Sequence, residues 1–389
     1  MNIVGIFLNN EMRTGANRRY LELMEALAEK GHTVVVLMNS YLDFTPTKFS
    51  RVPIPVRYRR RGFPPTSFIF KRAIADNRPF IRAELARDSI AHVDWIHIHG
   101  DMHFSSALYL KKKTGARLFF AFRCNDITRA HILRKQKAYT IKEHILSYPL
   151  ELKDRLRERK ISRKSDLITF QNAPDRDIFL KRIGGSQPGA QTVIIPGNIG
   201  LPRFRNETEN KNNSVAVKNL VYVGSTSLSK GLQHLLEALS VLKRKGYREL
   251  RLHVLGKISA DAKAPVLVKK LDIEEMVSFE GYVSPFPFLE SSDLMVYPTL
   301  YDAFPDTILE ALHTGCPVLA SKTGGVVELL QYPELLFDIG QVDEIVERIE
   351  RCIKDPDFYR AVRERCAERS THFRFDWAER FESEMRDNG

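Results

Sequence analysis

Residues 293–325 constrain the fold more than any other stretch, because two short apolar runs flank a loop and a helical pattern. The first apolar run occupies 293–298, the loop 299–306, the helical pattern 307–315 and the second apolar run 316–320. This succession of strand, loop, helix and strand is typical of α/β domains. In open sheets of such domains, ligands bind outside the carboxyl ends of the strands. The loop therefore predicts a ligand edge, and the two acids Asp302 and Glu310 lie in or just after it.

The same alternation runs through the rest of the chain. An apolar run at 3–8 precedes a helical pattern that ends at Gly31, and another apolar run covers 33–38. Further runs typical of buried strands occupy 93–98, 118–122, 166–172, 193–195, 219–223, 252–255 and 277–283. At 389 residues the chain is long for one hydrophobic core and suits two domains. We predict a doubly wound α/β fold in each domain.

A polar run marks the boundary between the two predicted domains. Residues 206–214 contain four asparagines among alternating charges. We therefore place the inter-domain hinge near 196–216. This division gives an N-terminal domain of residues 1–195 and a C-terminal domain of residues 196–373.

Composition favours a globular protein in a reducing compartment. Hydrophobic residues make up 43% of the chain, yet no run approaches the roughly 18 apolar residues that a membrane-spanning helix needs. The apolar N-terminal run is short for a signal peptide and has no basic residues before it. The four cysteines form no Cys-x-x-Cys pair, so zinc and redox motifs are unsupported. We expect a cytoplasmic location and no metal site.

The charge is divided unevenly between the two halves. Residues 1–195 carry 35 Lys and Arg against 18 Asp and Glu, a formal charge of +17, whereas the remainder carries −5. A basic domain attracts polyanions such as nucleic acid, anionic lipid surfaces or phosphorylated substrates. The alternative is a basic surface that serves only solubility.

Two segments concentrate the positive charge. Residues 51–72 interleave seven cations with aromatic and aliphatic side chains, and residues 128–165 are predicted to be helical and very basic. The first segment suits nucleic acid, through phosphate contacts and base stacking, or a membrane surface, through cations and interfacial rings. A solvated charge run is the third reading. No nucleic-acid motif accompanies it, so a membrane or anionic acceptor ranks above nucleic acid.

A family resemblance rests on twelve positions after the first apolar run: Phe304, Pro305, Thr307, Leu309, Glu310, Ala311, Gly315, Pro317, Val318, Ala320, Gly324 and Gly325. They are similar to the E-x7-E motif of retaining glycosyltransferases of family 4, the group 1 transferases, which have the GT-B fold. Asp302 stands where that family usually has Glu. Two other interpretations stay open, because Thr307-x-x-Glu310 is also a capping-box pattern and Asp302 could be a solvated loop acid.

The resemblance covers nearly the whole chain. It implies a GT-B architecture, in which two Rossmann-like domains face each other across a cleft. A final helix at about 374–389, after a stretch similar to the family's F-[ST]-W element, would cross back to the first domain. The implied reaction is retaining, metal-independent transfer without a cofactor. The donor would be a nucleotide-sugar, with UDP-sugar favoured, and the basic first domain would bind a glycan, lipid-linked or anionic cell-envelope acceptor.

The resemblance assigns roles to residues of the predicted donor site. Val223-Gly224-Ser225 and Lys230-Gly231 are similar to the family's V-G-R-x4-K-G, in which Arg and Lys brace the donor diphosphate. Lys230 matches this pattern, whereas Ser225 replaces the Arg. Glu310 would accept hydrogen bonds from the ribose hydroxyls, and Asp302 would contact the hydroxyls of the donor sugar.

Further site residues follow from the same comparison. Gly15 lies in the family's small-residue loop near the donor phosphates. Tyr282 lies in the loop that brackets the nucleobase, and the backbone around Phe304 and Thr307 would assist at the phosphates. Arg123, at the end of a predicted strand, would contact phosphate or sugar, which makes Asp302, Lys230 and Arg123 the predicted catalytic group.

His97 and His99 lie two residues apart on a predicted strand and so share a face. That spacing could suit a metal ion, but no matching acid or cysteine cluster follows. We therefore predict a structural or cleft-lining role for them.

Two alternatives to a transferase remain at this stage. The substitutions at Ser225 and Asp302 invite a non-catalytic GT-B protein that binds a nucleotide-sugar or a phosphorylated polymer. A GT-B sugar epimerase is the other alternative.

Overall fold

The computed structural model describes residues 1–9, 15–55, 58–59, 73–74, 78–86, 92–139, 141–184, 189–199, 217–258 and 264–388. The chain divides into two compact units. The first unit comprises Met1–Ile127, Ile141–Gly200 and Asp376–Gly389, and the second comprises Thr128–Thr140 and Leu201–Phe375. Most of the predicted hinge at 196–216, and most of the basic segment at 51–72, lie outside the described residues.

The strands are β1 (Asn2–Phe7), β2 (Thr33–Asn39), β3 (Ser50–Ile54), β4 (Tyr58–Arg59), β5 (Ala73–Ile74), β6 (Trp95–His99), β7 (Arg117–Ala121), β8 (Leu167–Phe170), β9 (Gln191–Ile194), β10 (Asn219–Val223), β11 (Arg251–Leu255), β12 (Val277–Gly281), β13 (Leu294–Tyr297), β14 (Val318–Ser321) and β15 (Leu336–Phe337). The helices are α1 (Gly15–Glu29), α2 (Arg78–Ala86), α3 (Phe104–Thr114), α4 (Asp126–Lys135), α5 (Ile141–Lys164), α6 (Ala173–Arg182), α7 (Leu232–Arg244), α8 (Ala264–Lys270), α9 (Phe286–Ser291), α10 (Asp306–His313), α11 (Gly324–Leu330), α12 (Val342–Lys354), α13 (Pro356–His372) and α14 (Trp377–Asp387).

The first unit is built on a seven-stranded sheet with the order β3-β2-β1-β6-β7-β8-β9. All of its described pairings are parallel, and β1 pairs with both β2 and β6. The strand order therefore reverses between β1 and β6. Such a reversal is the topological switch point, at which open α/β sheets bind ligands beyond the carboxyl ends of the strands.

The second unit repeats this plan with a six-stranded parallel sheet of the order β12-β11-β10-β13-β14-β15. Its switch point lies between β10 and β13. Two Rossmann-like sheets with helices confirm the predicted α/β fold class.

The strands are apolar on both faces because helices cover both sides of each sheet. In the first unit, Ile6 and Ile98 belong to one core layer, and Tyr20 and Leu27 of α1 belong to the other. Helix α14 completes the second layer with Phe381, whose ring stacks on Phe119 at 5.4 Å between centroids. The last helix of the chain is thus part of the first unit.

The edge strand β3 was not expected from the sequence, because Arg51 and Pro53 disguise it as part of the basic segment. Proline is tolerated at a sheet edge, where the missing N–H needs no partner. Arg51 donates hydrogen bonds to the carbonyl oxygens of Phe44 at 2.6 Å, Leu42 at 2.9 Å and Asn39 at 3.0 Å. Within the basic segment, the Arg51 guanidinium thus holds a loop of its own unit.

Two segments that were each predicted to be helical contain more than one helix in the structure. The basic segment at 128–165 contains α4 and α5, and residues 342–386 form α12, α13 and α14. Proline 356 starts α13 and Asp355 caps it, accepting a hydrogen bond from the Phe358 amide at 3.0 Å. Among the described residues, no helix is both long and apolar enough to cross a membrane.

Candidate active site

Two loops meet at the switch point of the second sheet. The loop after β10 runs through 224–231, and the loop after β13 runs through 298–305. The Leu300 amide donates to the Ser229 carbonyl oxygen at 3.0 Å. At Gly231, whose φ is +72°, a Cβ would lie 1.8 Å from the Pro298 carbonyl oxygen, so only glycine permits this contact.

The second loop is also fastened from its other side, by the start of α11. The Gly325 amide donates to the Asp302 carbonyl oxygen at 3.1 Å, and the Thr323 hydroxyl donates to the Leu300 carbonyl oxygen at 3.0 Å. A Cβ at Gly324 would lie 2.1 Å from the same Asp302 oxygen. Gly231 and Gly324 thus allow close contacts between backbone segments on either side of the loop.

The functional groups of the two loops form one hydrogen-bonded cluster. The Lys230 ammonium lies 2.6 Å from the Asp302 carboxylate oxygen Oδ2. The Tyr297 hydroxyl, at the end of β13, lies 2.9 Å from the same oxygen and 3.2 Å from the Lys230 nitrogen. The other Asp302 oxygen accepts from the Phe304 amide at 3.3 Å. The predicted catalytic residues Lys230 and Asp302 are therefore brought into direct contact.

The charge on Lys230 is maintained by its neighbours. Burial lowers the pKa of Lys230, but the Asp302 carboxylate and the Tyr297 hydroxyl more than offset this effect, and the net pKa lies above its ordinary value. The pKa of Tyr297 is raised by burial first and by the Asp302 charge second, so its hydroxyl keeps its proton. The cluster therefore presents a fixed cation beside a phenol.

Three serine hydroxyls line the first loop. Ser225 Oγ lies 3.1 Å from Ser227 Oγ, which lies 3.1 Å from Ser229 Oγ. The hydroxyl of the buried Tyr222, in β10, donates to the Ser225 carbonyl oxygen at 2.7 Å and so holds this loop to the strand. The Gly224 amide is bonded to the Leu255 carbonyl oxygen at 2.9 Å. Ser225 therefore replaces the expected Arg with one member of a hydroxyl chain.

Glu310 is buried in α10, which begins at Asp306. The N-cap of this helix is Pro305, and no side chain caps it. The alternative interpretation of Thr307 and Glu310 as a capping box is therefore wrong, because Thr307 is already inside the helix. The Thr307 hydroxyl is shielded from solvent and has no hydrogen-bond partner within the described part of the chain.

The remaining predicted donor-site residues of the second unit differ in exposure. Phe304 is buried, and its ring packs edge-on against Phe373 with centroids 5.7 Å apart. Tyr282 directly follows β12 and is 76% exposed, and Ile258, beyond the end of β11, is also exposed. Tyr282 and Ile258 leave apolar surface in the open beyond the ends of two neighbouring strands.

In the first unit, Gly15 begins α1 and Arg123 follows β7. An Arg123 nitrogen donates to Asn17 Oδ1 at 3.3 Å, and that oxygen also accepts from Asn9 at 3.1 Å. Gly100, with a φ of +83°, lies against the aliphatic part of Arg123. Arg123 thus lies beyond the carboxyl end of β7, among amide side chains.

The two histidines of β6 differ. His97 is fully buried, stacks on Tyr20 at 5.4 Å and meets the Phe119 ring edge-on at 4.8 Å. Burial lowers the pKa of His97 to about 3. Burial, followed by the charges of Arg123 and Arg19, lowers the pKa of His99 well below its ordinary range. His97 therefore has a structural role as a neutral core side chain.

Across the described ranges, no group of three His, Cys, Asp or Glu side chains is arranged to hold a metal ion. All four cysteines are free thiols.

The sequence interpretation missed Tyr297, because a tyrosine at the end of an apolar run looks like a core residue. Its position at the carboxyl end of a strand beside the ligand loop was the available signal.

Two family models match most of the chain between them. The model described as "Glycosyl transferases group 1" matches residues 204–372, and "Glycosyltransferase Family 4" matches residues 13–198. Among curated relatives, an uncharacterized glycosyltransferase of Haemophilus influenzae is 28% identical over 155 residues, which is 39% of this chain and 44% of that protein. The alignment thus spans less than half of that relative.

A longer alignment joins the chain to N-acetyl-alpha-D-glucosaminyl L-malate synthase of Bacillus anthracis, 25% identical over 371 residues, 89% of this chain and 86% of that protein. Two solved structures share the fold. Sucrose-phosphate synthase from Thermosynechococcus elongatus has a TM-score of 0.77 at 18% identity, with 100% of this chain and 99% of that chain covered. Anabaena HepE in complex with UDP and glucose has a TM-score of 0.69 at 14% identity, with both chains fully covered.

Proposed function

Because the chain belongs to the group 1, family 4 glycosyltransferases of the GT-B fold, we propose that it transfers a sugar from a nucleotide-sugar donor to an acceptor. The transfer would retain the configuration at the anomeric carbon and would need no metal ion. One observation carries the proposal. Lys230 lies at the switch point of the second sheet, where Asp302 and Tyr297 hold it as a cation.

The leaving group of such a donor is a nucleoside diphosphate, so negative charge builds on its β-phosphate as the bond to the anomeric carbon breaks. Preorganised donors and cations that face this charge lower the barrier to transfer. Lys230 would supply the cation, and the hydroxyls of Ser225, Ser227 and Ser229 would supply hydrogen-bond donors. The amides of the loop around Phe304 and Thr307 would add to them, except at Pro305, which has no N–H.

Donor binding would change the partners of the cluster. The diphosphate would share the Lys230 ammonium with Asp302. The Asp302 carboxylate, now beside a second anion, would be stabilised by accepting hydrogen bonds from the hydroxyls of the donor sugar. The shorter Asp302 side chain suits this exchange of partners, because it already reaches the Lys230 ammonium at 2.6 Å. The exchange would therefore need no change in the backbone conformation of its loop.

The nucleoside would extend from the phosphates toward the open ends of neighbouring strands. Glu310, buried in α10, would accept hydrogen bonds from the ribose hydroxyls. Exposed Tyr282 and Ile258, beyond the ends of β12 and β11, would give the base an apolar surface. We favour UDP as the nucleotide, since HepE, which shares the fold, was solved with UDP and glucose.

The first unit would bind the acceptor. Its positive charge supports a glycan, lipid-linked or anionic acceptor of the cell envelope. Such acceptors would place the protein in the cytoplasm, at the inner face of the membrane. Nucleic acid is not part of this proposal.

A donor panel tests the proposal directly. The protein would be incubated with UDP-, GDP-, ADP- and dTDP-glucose, with and without EDTA, while calorimetry measures binding and a coupled assay measures nucleotide release. We expect one donor to bind and to be turned over equally with EDTA. Absence of binding to every donor at millimolar concentration would remove the transferase function, and EDTA-sensitive turnover would remove metal independence.

The same panel separates the transferase from its alternatives. Tight binding without nucleotide release, across a panel of envelope glycans as acceptors, would favour a non-catalytic GT-B protein. Conversion of the donor sugar to its epimer, read by NMR of the recovered sugar, would favour an epimerase.

A further inference from the structure

Helix α5, 24 residues long, carries an apolar stripe on its outer side. Five large apolar side chains, Ile141, Ile145, Tyr148, Leu152 and Leu156, are between 56% and 83% exposed. They lie three or four residues apart, a spacing that places them on one face of a helix. The stripe is therefore continuous along about four turns.

The opposite face of α5 fastens the helix to its unit. Ser147, Ile161 and Ser162 are buried there. Glu158, also buried, receives two hydrogen bonds from Arg182 of α6, at 2.6 and 2.8 Å. A surface helix normally turns its apolar stripe toward the core. Here the packed face is largely polar and the apolar stripe is turned outward, so the exposure follows from how the helix is anchored.

Positive charge flanks and extends this stripe. Arg159 and Arg163 continue it by the same spacing toward the C-terminus, and both are exposed. Four further exposed cations of α5 are Lys153, Arg155, Lys160 and Lys164. Each of the four carboxylates of the helix is buried or half-buried, and three of them pair with arginines of the first unit. The outer face is thus apolar at one end and cationic at the other.

Charge complementarity decides between two occupants of this face. A second copy in antiparallel pairing would lay Arg159 and Arg163 over Ile141 and Ile145, which would remove the cations from water without a counter-charge. Parallel pairing would bring like charges together. An anionic lipid surface fits both ends, because its headgroups meet the cations while its acyl region accepts the apolar side chains.

We propose that the outer face of α5 lies on an anionic lipid bilayer, with the stripe from Ile141 to Leu156 inserted at the headgroup boundary and Arg159 and Arg163 on the phosphates. This assignment deepens the membrane setting of the proposed function. It does not depend on sugar transfer, so vesicle binding can succeed or fail independently of the donor panel.

Sedimentation of the full chain with vesicles tests the assignment. Vesicles of phosphatidylcholine alone are compared with vesicles that contain phosphatidylglycerol. We expect pelleting with the anionic vesicles only, weakened by added salt. The double variant Ile145→Gln/Leu152→Gln should lower the vesicle affinity at least tenfold, and Arg159→Gln/Arg163→Gln should lower it roughly fivefold per cation removed.

Matched controls come from α8 in the second unit. Val266→Gln removes an equally exposed apolar side chain, and Lys269→Gln/Lys270→Gln removes two exposed cations. Both controls should pellet as the unchanged protein does, and circular dichroism verifies that every variant is folded. Pelleting of Ile145→Gln/Leu152→Gln equal to that of the unchanged protein would overturn the proposal. A dimer in light scattering that this variant dissociates would instead assign the face to a second copy.

Discussion

The sheets of the two units hold their polar side chains by different means. In the second unit, Lys230 and Asp302 lie in contact, and their loops are pressed together backbone to backbone at Gly231 and Gly324. In the first unit, His97 lies among aromatic rings, and a Cβ at Gly100 would meet the Arg123 side chain rather than backbone. Lys230 is thus held by charge and by backbone contacts of its loops, whereas His97 is held by packing of side chains.

A neighbour of opposite charge, rather than burial alone, decides the charge states of Lys230 and His97. Burial disfavours the charged form of both Lys230 and His97. Asp302 offsets that effect at Lys230, whereas no carboxylate offsets it at His97, whose pKa falls to about 3. Lys230 therefore remains a cation, whereas His97 remains a neutral imidazole.

The largest effect is expected from Lys230→Ala, which removes the permanent cation. If the cation stabilises charge on a leaving phosphate, turnover should fall about 10²- to 10³-fold. Initial rates of nucleotide release measure this change. Lys243→Ala is the matched control, since Lys243 pairs with Glu275 at 2.7 Å in the same unit but away from the switch point. Turnover of Lys230→Ala within twofold of the unchanged protein would contradict the assigned role.

A pair of glycine substitutions compares the backbone contacts of the two units. Gly324→Ala and Gly100→Ala both place a side chain at positive φ, which costs about 1–3 kcal/mol. Gly324→Ala also drives a Cβ to 2.1 Å from the Asp302 carbonyl oxygen, whereas Gly100→Ala meets Arg123 at 3.1 Å. We expect Gly324→Ala to lower the free energy of unfolding by about 1–3 kcal/mol more.

Urea unfolding followed by circular dichroism measures both variants. Both tryptophans, Trp95 and Trp377, belong to the first unit, so their fluorescence reports Gly100→Ala separately. Equal losses of stability would show that the backbone contacts of the two units do not differ.

Tyr297→Phe tests whether the phenol helps to hold the cluster. The change removes hydrogen bonds to Lys230 at 3.2 Å and Asp302 at 2.9 Å while keeping the ring. A bond to a charged group contributes about 1.5–3 kcal/mol, so donor affinity should fall about tenfold or more. Calorimetric titration with the donor measures it. Tyr359→Phe, which removes a bond to the Asp293 carbonyl oxygen, should leave the affinity unchanged.

The last prediction concerns His97→Leu and the pH dependence of stability. The unfolded chain protonates this imidazole below its ordinary pKa of 6.5, whereas the folded state resists protonation until about pH 3. Its contribution to stability is therefore complete above pH 6.5 and is lost as the pH falls toward 3. Between these limits the loss is about 1.4 kcal/mol per pH unit.

We therefore expect His97→Leu to have a shallower decline of stability between pH 6 and pH 4. Urea titrations followed by tryptophan fluorescence compare the slopes for the first unit. Parallel slopes would mean that His97 is protonated in the folded state over the same pH range as in the unfolded chain.

Much of the fold follows from the apolar runs. They predicted a strand at the start of the second domain, where β10 lies, because a buried parallel strand needs apolar side chains on both faces. The edge strand β3 escaped detection because an edge tolerates Arg51 and Pro53. The extent of α10 was misjudged as well, since Pro305 ends the loop and the helix starts one residue before Thr307.

The site was predictable only in part. Motif positions indicated Lys230, Asp302 and Glu310 one by one. The contact between Lys230 and Asp302 could not be read from the chain, because the two residues are 72 positions apart and meet through the sheet order. The hydrogen bonds of Tyr297 to Lys230 and Asp302 could not be predicted for the same reason.

The three linked serines of the loop after β10 form a chain of hydroxyls that can reorient. Each hydroxyl of Ser225, Ser227 and Ser229 can act as donor or acceptor, and rotation about a single bond reverses its direction. A guanidinium has a permanent orientation of donors, whereas three linked hydroxyls can flip together. In the proposed transfer, the loop would therefore invert its local dipole as the leaving phosphate gains charge, without displacing a single heavy atom.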